Sequence, residues 1–230
     1  MNEYIAFRTA HGIDDNSYKD LYLGDYFTIQ DGTYNVDWMV AHFDYFMNYH
    51  GAGDNWTLEG VVLIARTNVT SSIMNSTATT AGGYKASNAH TIVCPAIATA
   101  LQTVLGNYLL DIPALVSKSI NANSPSMAGS GITGCTNDVD SVTTKCILPN
   151  EVQICGTTIG SSSAYDVGEA NHRLAVFNFI STNHVRGLHF TFWLRSIINS
   201  TQFITVDSFG FTSRADANKE YTIRPIIYIN

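Results

Sequence analysis

Hydrophobic residues in the first part of the chain are spaced in ways that predict three β-strands. Residues 21–29 alternate between apolar and polar side chains, which is the period of a half-buried strand. The dipeptide Asp31-Gly32 follows and is typical of a hairpin turn, and residues 38–46 supply the partner strand. Residues 58–65 form a short, almost continuous apolar run, the pattern of a strand buried on both faces.

The clearest helical pattern lies between residues 89 and 105. Ser87 and Asn88 are suitable N-terminal capping residues, and Gly106 supplies a stop. Pro95 lies near the predicted first turn, where proline is tolerated. The apolar residues that follow the helical period are Ile92, Val93, Ile97, Leu101, Val104 and Leu105.

Strand patterns dominate the last third of the chain. Residues 149–154 are typical of a short helix that begins with a proline. With strands in the majority and one or two helices, the predicted fold class is α+β. A polar arm, residues 1–19, precedes a single domain at residues 20–230. The predicted strands are residues 174–180, 189–195, 203–209 and 221–229, and the predicted loops are residues 121–145, 196–202 and 210–220.

The small share of charged residues and the negative net charge limit the kinds of molecule that this protein is expected to bind. Charged residues make up 13% of the 230-residue chain, about half of the usual share of ~25%. Twelve Lys and Arg against 19 Asp and Glu give a net charge of −7, so we expect no nucleic-acid partner. No apolar run approaches the ~18 residues of a membrane span, and no secretory signal is visible.

The four cysteines show no metal-binding spacing. Cys94, Cys135, Cys146 and Cys155 contain no Cys-X-X-Cys or Cys/His pattern of the kind that indicates structural zinc. Cys135 and Cys146 flank a polar loop that a disulfide would close. Free, partly buried thiols in a protein made in a reducing cytosol are the interpretation that we favour. No metal or cofactor is predicted.

Motifs of catalysis are incomplete in this sequence. Residues 129–131 only partly match a nucleophile elbow, and residues 80–85 lack the spacing of a phosphate-binding loop. Asp44 and Asp207 lack the oxygen-rich neighbours of a calcium loop. His42 lies on a strand-like segment among aromatic residues, so we expect a hydrogen-bonded core histidine there.

Two groups of polar residues have a predicted structural or binding role, namely charges within apolar runs and polar residues in two loops. Charges inside apolar runs cost free energy unless they are paired, so we expect them in internal polar networks. These charges are Asp25, Asp44, Arg195 and Arg224. The loops at residues 196–202 and 210–220 are candidates for a recognition surface, with ordinary solvated connections as the alternative. Their candidate ligand-binding residues are Asn199, Thr201, Arg214, Asp216, Asn218, Lys219 and Tyr221.

A series of motifs resembles a family of uncharacterised domains that is common in Firmicutes and their phages. In that family a YWLRS strand, a V…G strand and a VRPA strand occur in the same order. The corresponding segments here are residues 192–196 (FWLRS), 203–210 (FITVDSFG) and 222–229 (TIRPIIYI). Upstream segments extend the likeness over about residues 20–229, namely residues 20–29 (DLYLGDYFTI), 40–48 (VAHFDYFMN), 74–84 (MNSTATTAGGY) and 148–151 (LPNE).

This resemblance implies a virion protein of the kind labelled head fibre or tail-associated protein. It also implies a C-type-lectin-like fold, which phages use to recognise hosts or glycans. We therefore expect a non-enzymatic head fibre or capsid decoration on the virion surface, with a tail-associated receptor-binding protein as the alternative. Residues 1–19 would dock on capsid or tail proteins, and the loops would face a host-surface glycan. Such chains usually form closed homo-oligomers, for example trimers.

A glycan-degrading depolymerase is the alternative from a different class. Glycosidases need two carboxyl groups at a defined separation. The candidates, Asp44, Asp166, Glu169 and Asp207, are scattered along the chain. The resemblance supplies no catalytic residue, so the non-enzymatic expectation is preferred.

Overall fold

The structure, a computed structural model, describes residues 21–46, 59–117, 139–161, 172–179 and 190–230. The predicted arm at residues 1–19 lies outside these ranges. Within them the chain is a strand-rich α+β fold with two large sheets and a smaller one, which confirms the predicted fold class.

The first predicted hairpin forms as expected. Strand β1, Tyr26–Gln30, pairs antiparallel with β2, Asn35–Phe43. In the turn between them Gly32 has a φ of 86°, a conformation that glycine adopts without strain. Asp31 Oδ1 accepts hydrogen bonds of 2.8 and 2.7 Å from the backbone N–H groups of the two residues after Gly32. The Asp-Gly signal is therefore explained by local hydrogen bonding.

A six-stranded sheet surrounds the predicted buried strand. Every residue of β3, Val61–Ala65, is buried, because β3 lies between β2 and the C-terminal strand β13, Ile226–Ile229. The path through the sheet is β1-β2-β3-β13-β5, and β8 pairs with β13 as well. The two short strands are β5, Leu109–Leu110, and β8, Cys146–Ile147.

A five-stranded sheet has the order β11-β10-β9-β12-β4. Its pairs are antiparallel except for the contact between β12 and β9, which is parallel. A separate antiparallel pair consists of β6, Ile112–Ser117, and β7, Val139–Thr144. The strands of the five-stranded sheet are β4, Thr70–Ile73; β9, Phe192–Ile197; β10, Gln202–Val206; β11, Thr212–Asp216; and β12, Glu220–Ile223.

One C-terminal segment joins the two large sheets. Residues 221–229 were predicted as one strand, but the segment divides into β12 and β13 at Pro225, which has no N–H for a ladder. The neighbouring Arg224 is buried, and its Nε donates a 2.8 Å hydrogen bond to Ala65 O. Its guanidinium lies 5.0 Å from the ring centroid of Phe192, and burial lowers the pKa of Arg224 to about 9.

Three α-helices lie within the described residues, where one or two were expected. They are α1, Cys94–Leu105; α2, Glu151–Cys155; and α3, Val176–Phe179. A π-helical turn at Ala89–Val93 precedes α1, and 3₁₀ turns cover Tyr84–Ala86 and Gly106–Tyr108. Pro95 is the second residue of α1 and follows the π-helical turn directly, so its missing N–H falls where the helix changes from π- to α-helical hydrogen bonding.

The helical stretch Ala89–Tyr108 is the one in the described part of the chain whose length and composition would suffice to cross a bilayer. One face of α1 is buried against strands of the six-stranded sheet, among them β5 and β8. That face consists of Cys94, Ile97, Leu101 and Leu105. The helix therefore contributes one apolar face to the core of the domain.

Two predictions of element type were wrong. Residues 174–180 were predicted as a strand, but Val176–Phe179 form α3. A short apolar run fits a buried helix as well as a buried strand, so hydrophobic pattern alone does not separate the two. Residues 121–145 were predicted as a loop, but Val139–Thr144 form β7. The part of that loop at residues 121–138 lies outside the described residues.

The two predicted recognition loops are shorter than expected. Within residues 196–202 only residues 198–201 lie between strands, and residues 210–220 contain the whole of β11. β11 lies at the edge of its sheet with polar, largely exposed side chains, so its composition resembles that of a loop. The prediction of a long loop at residues 210–220 is therefore corrected to a strand and a tight turn.

Candidate functional site

Three connections meet at one end of the five-stranded sheet. They are residues 75–80, which follow β4, residues 198–201 between β9 and β10, and residues 216–219 at the end of β11. We refer to this surface as the polar end. Ser, Thr, Asn and Ala dominate its sequence.

Backbone hydrogen bonds join the three connections of the polar end. Thr80 N–H donates to Ser200 O over 2.8 Å, and Ala217 N–H donates to Thr201 O over 2.9 Å. Ala217 O in turn accepts a 2.9 Å hydrogen bond from Asn75 N–H. Residues that are more than 100 positions apart in sequence thus form one surface with a fixed arrangement.

The loop at residues 198–201 is shaped by the side chain of Asn199. Its Oδ1 accepts hydrogen bonds from the N–H groups of Thr201 and Gln202, both 2.9 Å, and from the Thr201 hydroxyl over 3.1 Å. Its Nδ2 donates to Gln202 Oε1 over 2.9 Å. The Asn199 amide is therefore engaged within the loop, which gives it a positioning role.

The turn at residues 216–219 displays its last two side chains. Lys219 N–H donates to Asp216 O over 2.9 Å, which closes the turn. Gln202 Nε2 donates to Asp216 Oδ1 over 2.9 Å and fixes the carboxylate. Ala217 is buried, whereas Asn218 and Lys219 are exposed.

The segment at residues 75–80 was not predicted as part of a site. Asn75 Nδ2 donates to Thr79 O, and Thr79 N–H donates to Thr77 O over 2.8 Å, so the segment is folded on itself. Ser76 and Thr77 are exposed at its tip. Its richness in hydroxyl groups was visible in the sequence, but its closeness to residues 198–201 depends on tertiary structure.

Five of the seven predicted ligand-binding residues lie at the polar end, namely Asn199, Thr201, Asp216, Asn218 and Lys219. Arg214 is exposed on the edge strand β11. Tyr221 is half-buried on β12, where its ring meets that of Trp193 edge-on with centroids 5.1 Å apart. The polar end can therefore offer hydroxyl and amide groups to a ligand, with Asp216 as its single carboxylate.

The carboxylates proposed for an enzyme do not form a pair at the polar end. Asp44 Oδ1 accepts a 2.9 Å hydrogen bond from Gly60 N–H, and Asp207 Oδ1 accepts two of 2.9 Å from backbone N–H groups of its hairpin tip. The Asp44 side chain thus joins the end of β2 to the residue before β3, and the Asp207 side chain holds a turn. Asp166 and Glu169 lie outside the described residues. Within the described ranges, no group of three or more His, Cys, Asp or Glu is placed to hold a metal ion.

A buried polar network joins two segments that carry the family resemblance. Arg195 Nη1 donates to Leu148 O over 2.7 Å and to Gln153 Oε1 over 2.8 Å. Glu151 N–H donates to Ser196 Oγ over 3.0 Å. The fully buried Glu151 carboxylate accepts three hydrogen bonds from the segment after α2. These residues are a framework of the interior, as predicted for Arg195.

The remaining charges that were predicted in internal networks have different surroundings. Arg224 is buried at the crossing between the sheets, which confirms the prediction. Asp25 Oδ2 accepts a 2.9 Å hydrogen bond from Tyr22 N–H in an exposed turn, so it acts locally. Asp44 has a φ of 54° and bonds to Gly60 through both its backbone and its side chain.

His42 is hydrogen-bonded, as predicted, but it is half-buried rather than in the core. Its Nδ1 accepts a 2.9 Å hydrogen bond from Ala175 N–H, which requires an unprotonated Nδ1. The pKa of His42 is lowered to about 4, mainly by burial and to a smaller extent by the neighbouring His172. The carboxylate of Asp44 opposes this shift. The ring also meets that of Tyr45 edge-on, with centroids 4.9 Å apart.

Cys94 and Cys146 are free thiols, as the favoured interpretation expects, and the reducing compartment stays a prediction. Cys94 and Cys146 are fully buried, and Cys155 is half-buried. Burial, together with the neighbouring Cys94, raises the pKa of the Cys146 thiol. Cys135, the other cysteine that flanks the predicted polar loop, lies outside the described residues.

Comparisons with known proteins give no relative for this chain. A scan against protein-family models, a search of curated proteins and a search of solved structures each found no match. The family resemblance inferred from the motifs therefore stays a prediction, and function is inferred from the geometry together with that prediction.

Proposed function

We propose that this chain is a non-enzymatic surface protein of a bacteriophage virion, a head fibre or capsid decoration, whose polar end binds a glycan on the host surface. The observation that carries the proposal is the meeting of three connections rich in Ser, Thr and Asn at one end of a sheet. Hydroxyl and amide groups exchange hydrogen bonds with sugar hydroxyls in both directions. A surface with few charges suits a ligand that is itself polar and uncharged.

The internal hydrogen bonds of the polar end support this proposal. Asn199 and Gln202 hold residues 198–201, and Gln202 also holds Asp216. Loops fixed before binding lose less conformational entropy when a ligand arrives. The exposed Thr77, Asn218 and Lys219 are then the side chains that contact the glycan.

The non-enzymatic part of the proposal rests on the carboxylates. Glycosidases use two carboxyl groups about 5–10 Å apart. Asp216 is the single carboxylate of the polar end, and Gln202 already donates a hydrogen bond to it. A C-type-lectin-like fold belongs to the same proposal, because the motifs that suggest it form β9, β10, β12 and β13.

A glycan array of bacterial surface polysaccharides tests the binding site. We expect the full chain to bind at least one polysaccharide, and Thr77→Ala combined with Asn218→Ala to weaken binding about tenfold, the value of one or two lost hydrogen bonds. Tyr22→Ala, at an exposed residue outside the polar end, is the matched control and should bind like the unaltered chain. Binding that is unchanged in the double variant overturns the site, and no binding to any polysaccharide overturns the ligand class.

A further inference from the structure

Strand β11 has one open edge within the described part of the chain. Among the described strands it pairs with β10 alone, at one side of the five-stranded sheet. The hydrogen bonds from Ala217 N–H to Thr201 O and from Asp207 N–H to Phe211 O mark the β11 residues whose backbone faces β10. Backbone direction alternates along a strand, so the N–H and C=O groups of Arg214 face outward.

Arg214 and Asp216 give this open edge a self-complementary charge pattern. They lie two residues apart on β11, so their side chains share one face of the sheet. A second copy of β11 that pairs antiparallel around Ala215 places each Arg214 opposite Asp216 of the other copy. We propose that the chain forms a two-fold dimer in which β11 pairs with β11 of a second copy across an axis at Ala215. Opposite charges directly across an antiparallel pair stabilise the pair.

The side chains of Arg214 and Asp216 are placed so that they can pair with those of a second copy. Gln202 Nε2 donates to Asp216 Oδ1, which orients the carboxylate and leaves Oδ2 for the arginine of the second copy. Arg214 is exposed and has no ion-pair partner in the described part of the chain. A guanidinium matches a carboxylate across a strand pair in charge and in geometry.

The charges of β11 favour one register of the strand pair, and they favour pairing at β11 rather than at the opposite edge of the sheet. If the two strands paired around Arg214 instead of Ala215, each Arg214 would lie opposite Arg214 of the other copy, where like charges repel. Charged side chains often protect an edge strand from pairing, but the two charges of β11 have opposite signs and so complement a second copy of the strand. The opposite edge of the same sheet, β4, has no charged residue to set a register. The dimer shares Asp216 with the polar end but uses none of the side chains proposed to contact the glycan, and it closes at two copies rather than at the trimer expected from the family resemblance.

Sedimentation of the full chain with exchanged charges tests the proposal. We expect a monomer–dimer equilibrium between about 1 µM and about 1 mM. Arg214→Asp and Asp216→Arg should each weaken the dimer about tenfold or more, because like charges then meet twice, and the double variant should restore it. Lys219→Asp makes the same change of net charge as Arg214→Asp, in the adjacent turn, and should leave the dimer intact. A monomer throughout this range, or a double variant as weak as the single ones, overturns the proposal.

A cross-linking variant keeps the test independent of charge and of the Gln202 contact. In the proposed register the two Ala215 residues form a non-hydrogen-bonded pair with Cα atoms about 4.5 Å apart, within the range of a disulfide. Ala215→Cys should therefore give a covalent dimer on mild oxidation, and Lys219→Cys should not. Absence of the Ala215→Cys dimer, with thermal unfolding showing a folded protein, contradicts the two-fold axis.

Discussion

Arg195 Nη1 donates a 2.8 Å hydrogen bond to Oε1 of Gln153, a residue 42 positions earlier in the chain. The same Gln153 oxygen accepts a 3.0 Å hydrogen bond from Asn150 N–H and so completes the capping box of α2. One buried amide therefore joins the start of a short helix to the central part of β9. The polar interior of the domain depends on this junction.

Replacement of Arg195 by methionine should destabilise the protein. The variant removes the Arg195 donor from Leu148 O and one of the two donors from Gln153 Oε1 in the buried interior, so we expect the free energy of unfolding to fall by about 3 kcal/mol. Urea denaturation measures the change. Arg66→Met, at an exposed arginine that lies over the Tyr26 ring, is the control and should cost about 1 kcal/mol or less. Equal losses for the two variants would show that the junction carries no special stability.

Gly60 is a position where any side chain is expected to be damaging. A Cβ atom at Gly60 would lie 2.5 Å from Tyr228 Cζ and 2.7 Å from Ile229 O, and the second of these is a backbone atom of β13. We expect Gly60→Ala to lower the free energy of unfolding by about 3 kcal/mol. Gly32→Ala meets open space and only strains a φ of 86°, so about 1 kcal/mol is expected. A smaller loss for Gly60→Ala than for Gly32→Ala would contradict the close packing of β3 and β13.

Mild acid should destabilise the domain through His42. Its pKa is 6.5 in the unfolded chain and about 4 in the folded one, so only the unfolded state binds a proton as pH falls through this window. Stability is therefore full above pH 6.5 and decreases down to about pH 4, by about 1–2 kcal/mol after allowance for the exposed part of the ring. Unfolding measured across this window in the unaltered chain and in His42→Asn separates this contribution. The variant should show a smaller dependence on pH, and an unchanged slope would remove His42 as the cause.

Asn199 and Asn218 should affect the polar end in different ways. Asn199→Ala removes three accepted hydrogen bonds, so amide exchange at Thr201 and Gln202 should accelerate about tenfold or more and glycan binding should weaken with it. Asn218→Ala removes an exposed side chain, and we expect weaker binding with unchanged exchange at those amides. Hydrogen exchange followed by mass spectrometry measures the exchange rates in both variants. Identical exchange in the two variants would refute the positioning role of Asn199.

Local signals predicted a large part of the fold. The Asp31-Gly32 turn and the end of α1 at Gly106 each depend on contacts or backbone conformation within a few residues. The capping box of α2 is local in the same sense. The continuous apolar run of β3 predicted a buried strand, although its partners β2 and β13 lie elsewhere along the chain. Where backbone chemistry within one turn decides the structure, a sequence pattern is sufficient to predict it.

Other elements are decided by contacts between distant residues. Val176–Phe179 form a helix although their apolar run resembles a strand, and β11 is a strand although its polar sequence resembles a loop. Residues 75–80 join the candidate site through Thr80, which bonds to Asn199 and Ser200 more than 100 positions away. Patterns along the chain contain no information on such pairings.

Immunogold electron microscopy tests the central claim most directly. Antibody raised against the recombinant chain would be applied to phage particles purified from a culture in which the chain is produced. A second sample would be particles mixed with a shortened chain that lacks residues 2–18. We predict label over the capsid with the full chain, and no attachment of the shortened chain, whose thermal unfolding should match that of the full chain. Particles without label, from a culture in which the chain is detected, would contradict a virion surface protein.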